Sequence, residues 1–310
     1  MNKPEYLYVY NYSEEEKELC MLEMRTVFGM EPAAFIFRSD VAFGHGRSPF
    51  IRERIDLLIE ASSLEELKQK AGRLTFGNES FKTVYVQYNR DDQAGFSERR
   101  RIEREVGLAI QGNPSLEEPD RLVGIAEMEG RWFLGNLVKQ DAVWLRHVKK
   151  PREYSTALST RVARAVANIA VPRIEGVKAI DPCCGIGTVL VEALSMGIDI
   201  VGRDINPLAA AGSRENVLHF GYECDVAKGA IEEIAGHYDV AIIDMPYDLC
   251  TTASPEQQLS ILRHTKRIAD RAVIVTSEPM DGMVSEAGLR IFDRCTVRKQ
   301  AFIRQILVCG

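Results

Sequence analysis

Two short segments about sixty residues apart hold residue types that could do chemistry: Asp181-Pro-Cys-Cys-Gly-Ile-Gly-Thr188 and Asp244-Met-Pro-Tyr247. In the first, Gly185 and Gly187 remove the Cβ atoms that would keep a backbone turn away from a ligand. Thr188 opens a helix whose free N–H groups favour a carboxylate or polar ligand edge. A dinucleotide turn would read Gly-x-Gly-x-x-Gly, and the third glycine is absent. Asp204 follows at the end of the next strand, about twenty residues on, where an acid can grip two ribose hydroxyls. Asn206 lies just beyond it, and Asp225, after one further element, is placed to reach an adenine amine. Asp181 either caps the turn or binds an amino group of the cofactor. Cys183 sits in the turn as a small residue beside the ligand, with a redox-active Cys183–Cys184 pair as the other reading.

The second segment suits a poor nucleophile. The lone pair of an exocyclic amine on a purine is delocalised into the ring, and two acceptors on its hydrogens would localise it. The Asp244 carboxylate and the Met245 carbonyl are those acceptors, and Pro246 sets the turn. Tyr247 offers a ring for a base to stack on, and Asp244 can take the departing proton. The chemistry of such a corner is methyl transfer to the amine.

The elements that must position these groups alternate from residue 154 onward. Helices are expected over 155–170, 188–196, 207–220 and 255–269, and strands over 177–181, 198–204, 238–244 and 272–276, with a short element at 222–226. The apolar run Val240-Ala-Ile-Ile243 reads as a central parallel strand. The last two runs, 289–297 and 301–308, are too close for a helical crossover and should pair antiparallel. The expected fold is α/β, a Rossmann-like class I methyltransferase sheet closed by an antiparallel hairpin. Residues 1–150 mix strands at 6–12, 55–60, 82–88 and 131–137 with helices at 13–27 and 63–70, which suggests a separate α+β domain. Ser13-Glu-Glu-Glu16 resembles a capping box. The expected domains are therefore 1–150 and 151–310.

With 45% hydrophobic and 27% charged residues the chain is ordinary for a soluble globular protein, and its apolar runs are only strand-sized, so no membrane span is expected. Seven scattered cysteines without Cys-x-x-Cys spacing argue for a reducing cytoplasm and against a zinc knuckle, and no metal site is expected. The net charge of −6 argues mildly against nucleic acid, but Arg131 to Arg164 holds eight Lys or Arg against two acids. That strip reads either as a solvated surface or as a track for phosphates. Arg146, Lys149, Lys150 and Arg152 are its candidate contacts, with Arg99, Arg100, Arg101 and Arg104 as a second, acid-interleaved cluster.

These motifs resemble the THUMP-containing tRNA guanine-N2 methyltransferases, the group that modifies guanosine 10. That family shows Asp-Pro-Phe-Cys-Gly-Ser-Gly-Thr-like and Asp-Pro-Pro-Tyr motifs, here 181–188 and 244–247, with a helix like that at 159–170 before the first. The N-terminal half resembles its ferredoxin-like and THUMP arrangement less specifically. The resemblance implies S-adenosylmethionine as cofactor, structured RNA as substrate and docking of that RNA by the N-terminal region. A monomer or weak dimer, with or without an activating partner protein, is the expected assembly. Two positions depart from the pattern: Met245 replaces the first proline, and Asp248 replaces a glycine. Alternatives are a DNA adenine-N6 methyltransferase, a non-catalytic RNA-binding protein keeping the fold, and a small-molecule or protein amine methyltransferase.

Overall fold

A computed structural model describes residues 3–88, 94–154, 157–246, 254–299 and 302–310. The chain divides into two compact units, one of Met1–Asn11, Pro32–His45 and Phe50–Asp141, the other of Tyr12–Glu31, Gly46–Pro49 and Ala142–Gly310.

The first unit is a seven-stranded sheet with two helices. Its strands are β1 (Tyr6–Tyr10), β2 (Ile36–Ser39), β3 (Ile51–Ala61), β4 (Thr75–Tyr85), β5 (Gln111–Pro114), β6 (Arg121–Met128) and β7 (Arg131–Lys139), in the order β2-β1-β3-β7-β6-β4-β5. The residues of α2 (Leu64–Ala71) and α3 (Phe96–Ala109) bury Leu67, Ala71, Ile102 and Val106 with Phe81, Val123, Ile125 and Leu134 of the sheet. Leu7, Val9, Ile55, Ala126 and Phe133 form a second apolar cluster. Alternation along each strand sends neighbours such as Ile125 and Ala126 to opposite faces. Ser63 caps α2 by accepting from the Glu66 N–H.

The second unit begins with α1 (Lys17–Phe28), preceded by a single 3-10 turn at Glu14–Glu16. The capping box expected at Ser13 does not form, because Arg161 holds the Glu16 carboxylate at 2.8 Å and Ser13 makes no cap bond. Another 3-10 segment, Val143–Val148, precedes α4 (Thr160–Ala170), whose start is five residues later than the periodicity suggests, with Ser159 as its cap. There follow β8 (Lys178–Asp181), α5 (Thr188–Ser195), β9 (Asp199–Asp204), α6 (Pro207–His219), β10 (Val226–Lys228), β11 (Tyr238–Asp244), α7 (Pro255–Ile268), β12 (Ala269–Thr276), α8 (Asp281–Glu286), β13 (Ile291–Lys299) and β14 (Phe302–Cys309).

The sheet order is β10-β9-β8-β11-β12-β14-β13. Strands β8 to β12 run parallel, and the expected terminal pair is antiparallel, with β14 between β12 and β13. From β8 the chain winds outward to β10 and then returns to the other side of β8 with β11. The strand order therefore reverses between β8 and β11, and in open parallel sheets ligands bind at the carboxyl ends of strands flanking such a reversal. Both motifs sit there: the glycine turn follows β8, and Asp244 ends β11.

A buried polar network fixes the helices beneath the site. Arg164 of α4 is 2% exposed, Glu192 of α5 is 0% exposed, and their side chains meet at 2.6 Å. Glu192 also bonds His147 at 2.8 Å, and Arg164 donates to Ser195 Oγ and to the Arg47 carbonyl. Glu23 of α1 accepts from Ser48 and from Asn168 of α4, which draws residues 12–31 and 46–49 into this unit. No helix among the described residues is long and apolar enough to cross a membrane.

Candidate active site

The turn after β8 is built from backbone hydrogen bonds. Asp181 is buried and its Oδ1 accepts from the Cys183 N–H at 3.2 Å, which reverses the chain. Cys184 N–H donates to the Arg203 carbonyl at 2.9 Å, and Gly187 N–H to the Cys184 carbonyl at 2.8 Å. Gly185 and Gly187 have φ of +54° and +79°, the left-handed region that penalises a Cβ. They differ in purpose. A Cβ on Gly187 would lie 2.3 Å from Ser213 Oγ on α6, so that glycine serves helix packing. A Cβ on Gly185 would meet nothing within 4 Å and would enter open space, so packing does not account for that glycine. Asn216 of α6 holds the loop by donating to the Ile186 carbonyl.

Asp204 ends β9 with both oxygens fixed, Oδ2 by Gly185 N–H at 2.7 Å and Oδ1 by Asn206 N–H at 2.8 Å. Asn206 then caps α6, accepting from Leu208 N–H, with Pro207 at the first position. Burial raises the Asp204 carboxyl despite those two bonds. Burial also raises Asp181 well above the carboxylate range, and the charges of Asp244 and Asp204 add to the effect. Burial pushes both thiols, Cys183 and Cys184, far up, with neighbouring carboxylates adding to it. They stay protonated at neutral pH, which disfavours the redox reading. All six described cysteines are free thiols.

One cavity of about 1240 Å³ unites the two motifs. Asp181, Cys183, Gly185, Thr188, Asp204 and Asn206 line it together with Asp244, Met245 and Pro246. The Met245 N–H donates to the Val275 carbonyl at 2.9 Å, extending the β11–β12 ladder by one residue. Met245 is 2% exposed and packs with Ile243, Leu262, Ile274 and Met280. Tyr247 and Asp248 lie outside the described residues.

Three other sequence expectations land elsewhere. Asp225 is exposed and does not line the cavity. The β9–β10 register explains why: Asp204 pairs with Lys228, three residues past Asp225 or about 10 Å further along. Gly229 to Glu232 line the cavity in its place. Of the basic strip, Arg146 and Lys149 are exposed, whereas Lys150 donates to Thr188 Oγ1 at 3.1 Å and Arg152 pairs with Glu215 at 2.7 Å. On α3, Arg100 pairs with Glu103, and Arg101 with Glu98 and Glu105. That helix face is largely self-neutralised, and such exposed pairs contribute only tenths of a kcal/mol.

Sequence reasoning missed the cavity wall at Glu256, Gln257 and Ser260 on α7. Its signal was legible: Ser254-Pro-Glu-Gln257 forms a full capping box. The exposed apolar side chains Ile205 and Leu208 at the cavity, 71% and 81% exposed, carried no periodic signal.

Residues 156–301 match the model of the family described as Conserved hypothetical protein 95. The chain is similar to tRNA (guanine(10)-N2)-dimethyltransferase of Methanothermobacter thermautotrophicus, 28% identical over 184 residues, covering 54% of this chain and 53% of that protein. It is also similar to the Methanocaldococcus jannaschii protein of the same description, 24% identical over 224 residues, covering 65% and 63%. The similarity thus spans between half and two thirds of these relatives' lengths. A solved structure, SMU.472 complexed with SAH, superposes with a TM-score of 0.50 over 99% of this chain and 98% of its own, at 13% identity. That likeness concerns the fold alone, an α/β sheet of parallel strands closed by an antiparallel pair.

Proposed function

We propose that this protein transfers a methyl group from S-adenosylmethionine to the N2 amine of a guanine in tRNA. The observation that carries the reading is the single cavity shared by the Asp244–Pro246 corner and the Gly185–Asp204 cradle. The similarity to two archaeal tRNA (guanine(10)-N2)-dimethyltransferases supports the choice of base and RNA.

The residues present fit the cofactor. Gly185 leaves open space beside the turn, Asp204 is held rigid for a ribose diol, and the cavity is rich in carboxylates that suit a cationic ligand. When bound, S-adenosylmethionine supplies an electrophilic methyl on a positively charged sulfur. Asp244 and the Met245 carbonyl accept from the target amine, which localises its lone pair, and Asp244 takes the proton released. The Met245–Val275 hydrogen bond holds this corner without the family's first proline. Tyr247 is the stacking platform for the base in this reading. A guanine in a helix must leave its stack to reach the cavity, so base flipping is part of the mechanism. Arg146 and Lys149, exposed and basic, contact phosphates, and the α+β unit docks the RNA in the manner of a THUMP-like region. A tRNA substrate and free thiols fit a cytoplasmic location.

The test is nucleoside mass spectrometry of unmodified tRNA incubated with the protein and isotope-labelled S-adenosylmethionine. Labelled N2-methylguanosine is expected, falling at least a hundredfold in Asp244→Ala, about 3 kcal/mol of barrier. Label in another nucleoside, or none despite demonstrated cofactor binding, overturns the proposal.

A further inference from the structure

Residues 151–154 belong to no helix or strand, yet their backbone is fixed beside the cavity by a buried side chain. Asn216 of α6, 0% exposed, accepts from the Arg152 N–H at 2.9 Å and donates to the Arg152 and Ile186 carbonyls, each at 2.9 Å. One amide thus ties the segment to α6 and to the glycine turn, and it supplies Arg152 with the two bonds that a neighbouring strand would give. Two residues on, the Tyr154 carbonyl accepts from the Ala157 N–H at 3.1 Å. The main chain of Tyr154 is therefore held on both sides.

Tyr154 itself is 56% exposed, whereas Leu158, which also lines the cavity, is 5% exposed. Leu158 serves the core, but a large ring left half in solvent on a fixed backbone does little for folding. Among the described residues Tyr154 is the one aromatic that lines the cavity. Beside the ribose cradle at Asp204, Ile205 and Leu208 already stand at the cavity as exposed apolar side chains, so the ring is left for the second ligand. Just upstream, Arg146 and Lys149 are exposed. Cations for phosphates and a ring for a base are the two parts of a surface that binds unpaired nucleotides. We propose that Tyr154 stacks on the target guanine as it leaves the RNA and enters the cavity, a contact separate from the one assigned to Tyr247. This rests on the tRNA guanine reading above. The ring replaces part of the stacking that the base gives up when it flips, which lowers the cost of entry.

The test uses the full chain and unmodified tRNA, with S-adenosylhomocysteine calorimetry and urea melts run alongside. Tyr154→Leu, which keeps apolar bulk and removes the ring, is expected to lower kcat/KM for tRNA about tenfold to a hundredfold. Cofactor-product affinity and the urea midpoint are expected to stay at wild-type values. Tyr154→Phe and Tyr154→Trp, which keep a ring and remove the hydroxyl, are expected to retain most of the activity. Tyr154→Gln serves as a second ringless variant should the leucine variant fold poorly. Equal loss in Tyr154→Phe and Tyr154→Leu would assign the effect to the hydroxyl and overturn the inference. Lost S-adenosylhomocysteine affinity in Tyr154→Leu would place the ring on the cofactor and overturn it too. A wild type that binds S-adenosylhomocysteine but methylates no tRNA guanine overturns the functional reading, and with it this inference. Wild-type activity with both ringless variants unaffected overturns the Tyr154 assignment alone.

Discussion

Asp204 and Gly185 are joined by a 2.7 Å hydrogen bond from the glycine N–H to the carboxylate, so the residue suited to a ribose also shapes the turn beside it. With Asn206 N–H on its other oxygen, the carboxylate has one orientation before any ligand arrives. Asp204→Ala should therefore weaken S-adenosylhomocysteine binding at least tenfold and cost about 1–3 kcal/mol of stability by leaving two N–H donors without their acceptor. Calorimetry and urea melts read the two effects. Unchanged affinity would remove Asp204 from the cofactor site.

The two glycines of the turn should separate stability from binding. Gly187→Ala combines a left-handed φ of +79° with a 2.3 Å approach to Ser213 Oγ, and about 2 kcal/mol or more of stability should be lost. Gly185→Ala meets no neighbour and should cost about 1 kcal/mol, from its φ alone. Its Cβ enters the ligand's space, so binding should suffer more than stability. The opposite ranking in melting temperature would contradict the assignment of Gly187 to packing.

Glu23 makes the second unit sensitive to pH. Burial pushes its carboxyl from 4.5 up to about 7, and hydrogen bonds from Ser48 and Asn168 only partly counter that. Between those values the folded chain keeps a proton that the unfolded chain releases. Stability should therefore fall as pH rises from 4.5 to 7, by on the order of 3 kcal/mol. Glu23→Gln keeps an acceptor for Asn168 and should flatten this slope in melts across the window. Asp181 and Asp204, also raised, leave a residual slope of the same sign. A slope identical to wild type would show that Glu23 does not titrate there.

Arg164 and Glu192, 2% and 0% exposed, should behave as a unit. Arg164→Ala leaves a buried carboxylate facing only His147 and should cost about 3–5 kcal/mol. The double variant with Glu192→Gln should cost clearly less than the two single losses summed, as read by a denaturant double-mutant cycle. Strict additivity would mean that the two residues stabilise the helices separately.

The site was legible in the sequence where the signals are local. A β-strand ending in Asp181, two glycines, a threonine opening a helix and Asn206-Pro207 starting the next are cap and turn chemistry, set within a few residues. The apolar run ending at Asp244 is likewise a local pattern, and parallel βα units restrict both carboxyl ends to one edge of the sheet. The Ser13 capping box was misleading for the same reason: its residues have the right order, but Arg161, far along the chain, takes the glutamate.

What pairing and packing decide was not legible. Only the β9–β10 register sets Gly229 to Glu232 rather than Asp225 at the cavity, because a shift of three residues along a strand is invisible in composition. Only tertiary packing divides the basic strip into exposed Arg146 and Lys149 and a Lys150 drawn to Thr188. The sequence by itself determined the α/β order, the glycine turn and the strand that ends at Asp244, since hydrophobic period and cap residues act within one or two elements. The tertiary structure decided which charges face the cavity and which helices share its buried network, since desolvation and ion pairing depend on neighbours that are distant in the chain.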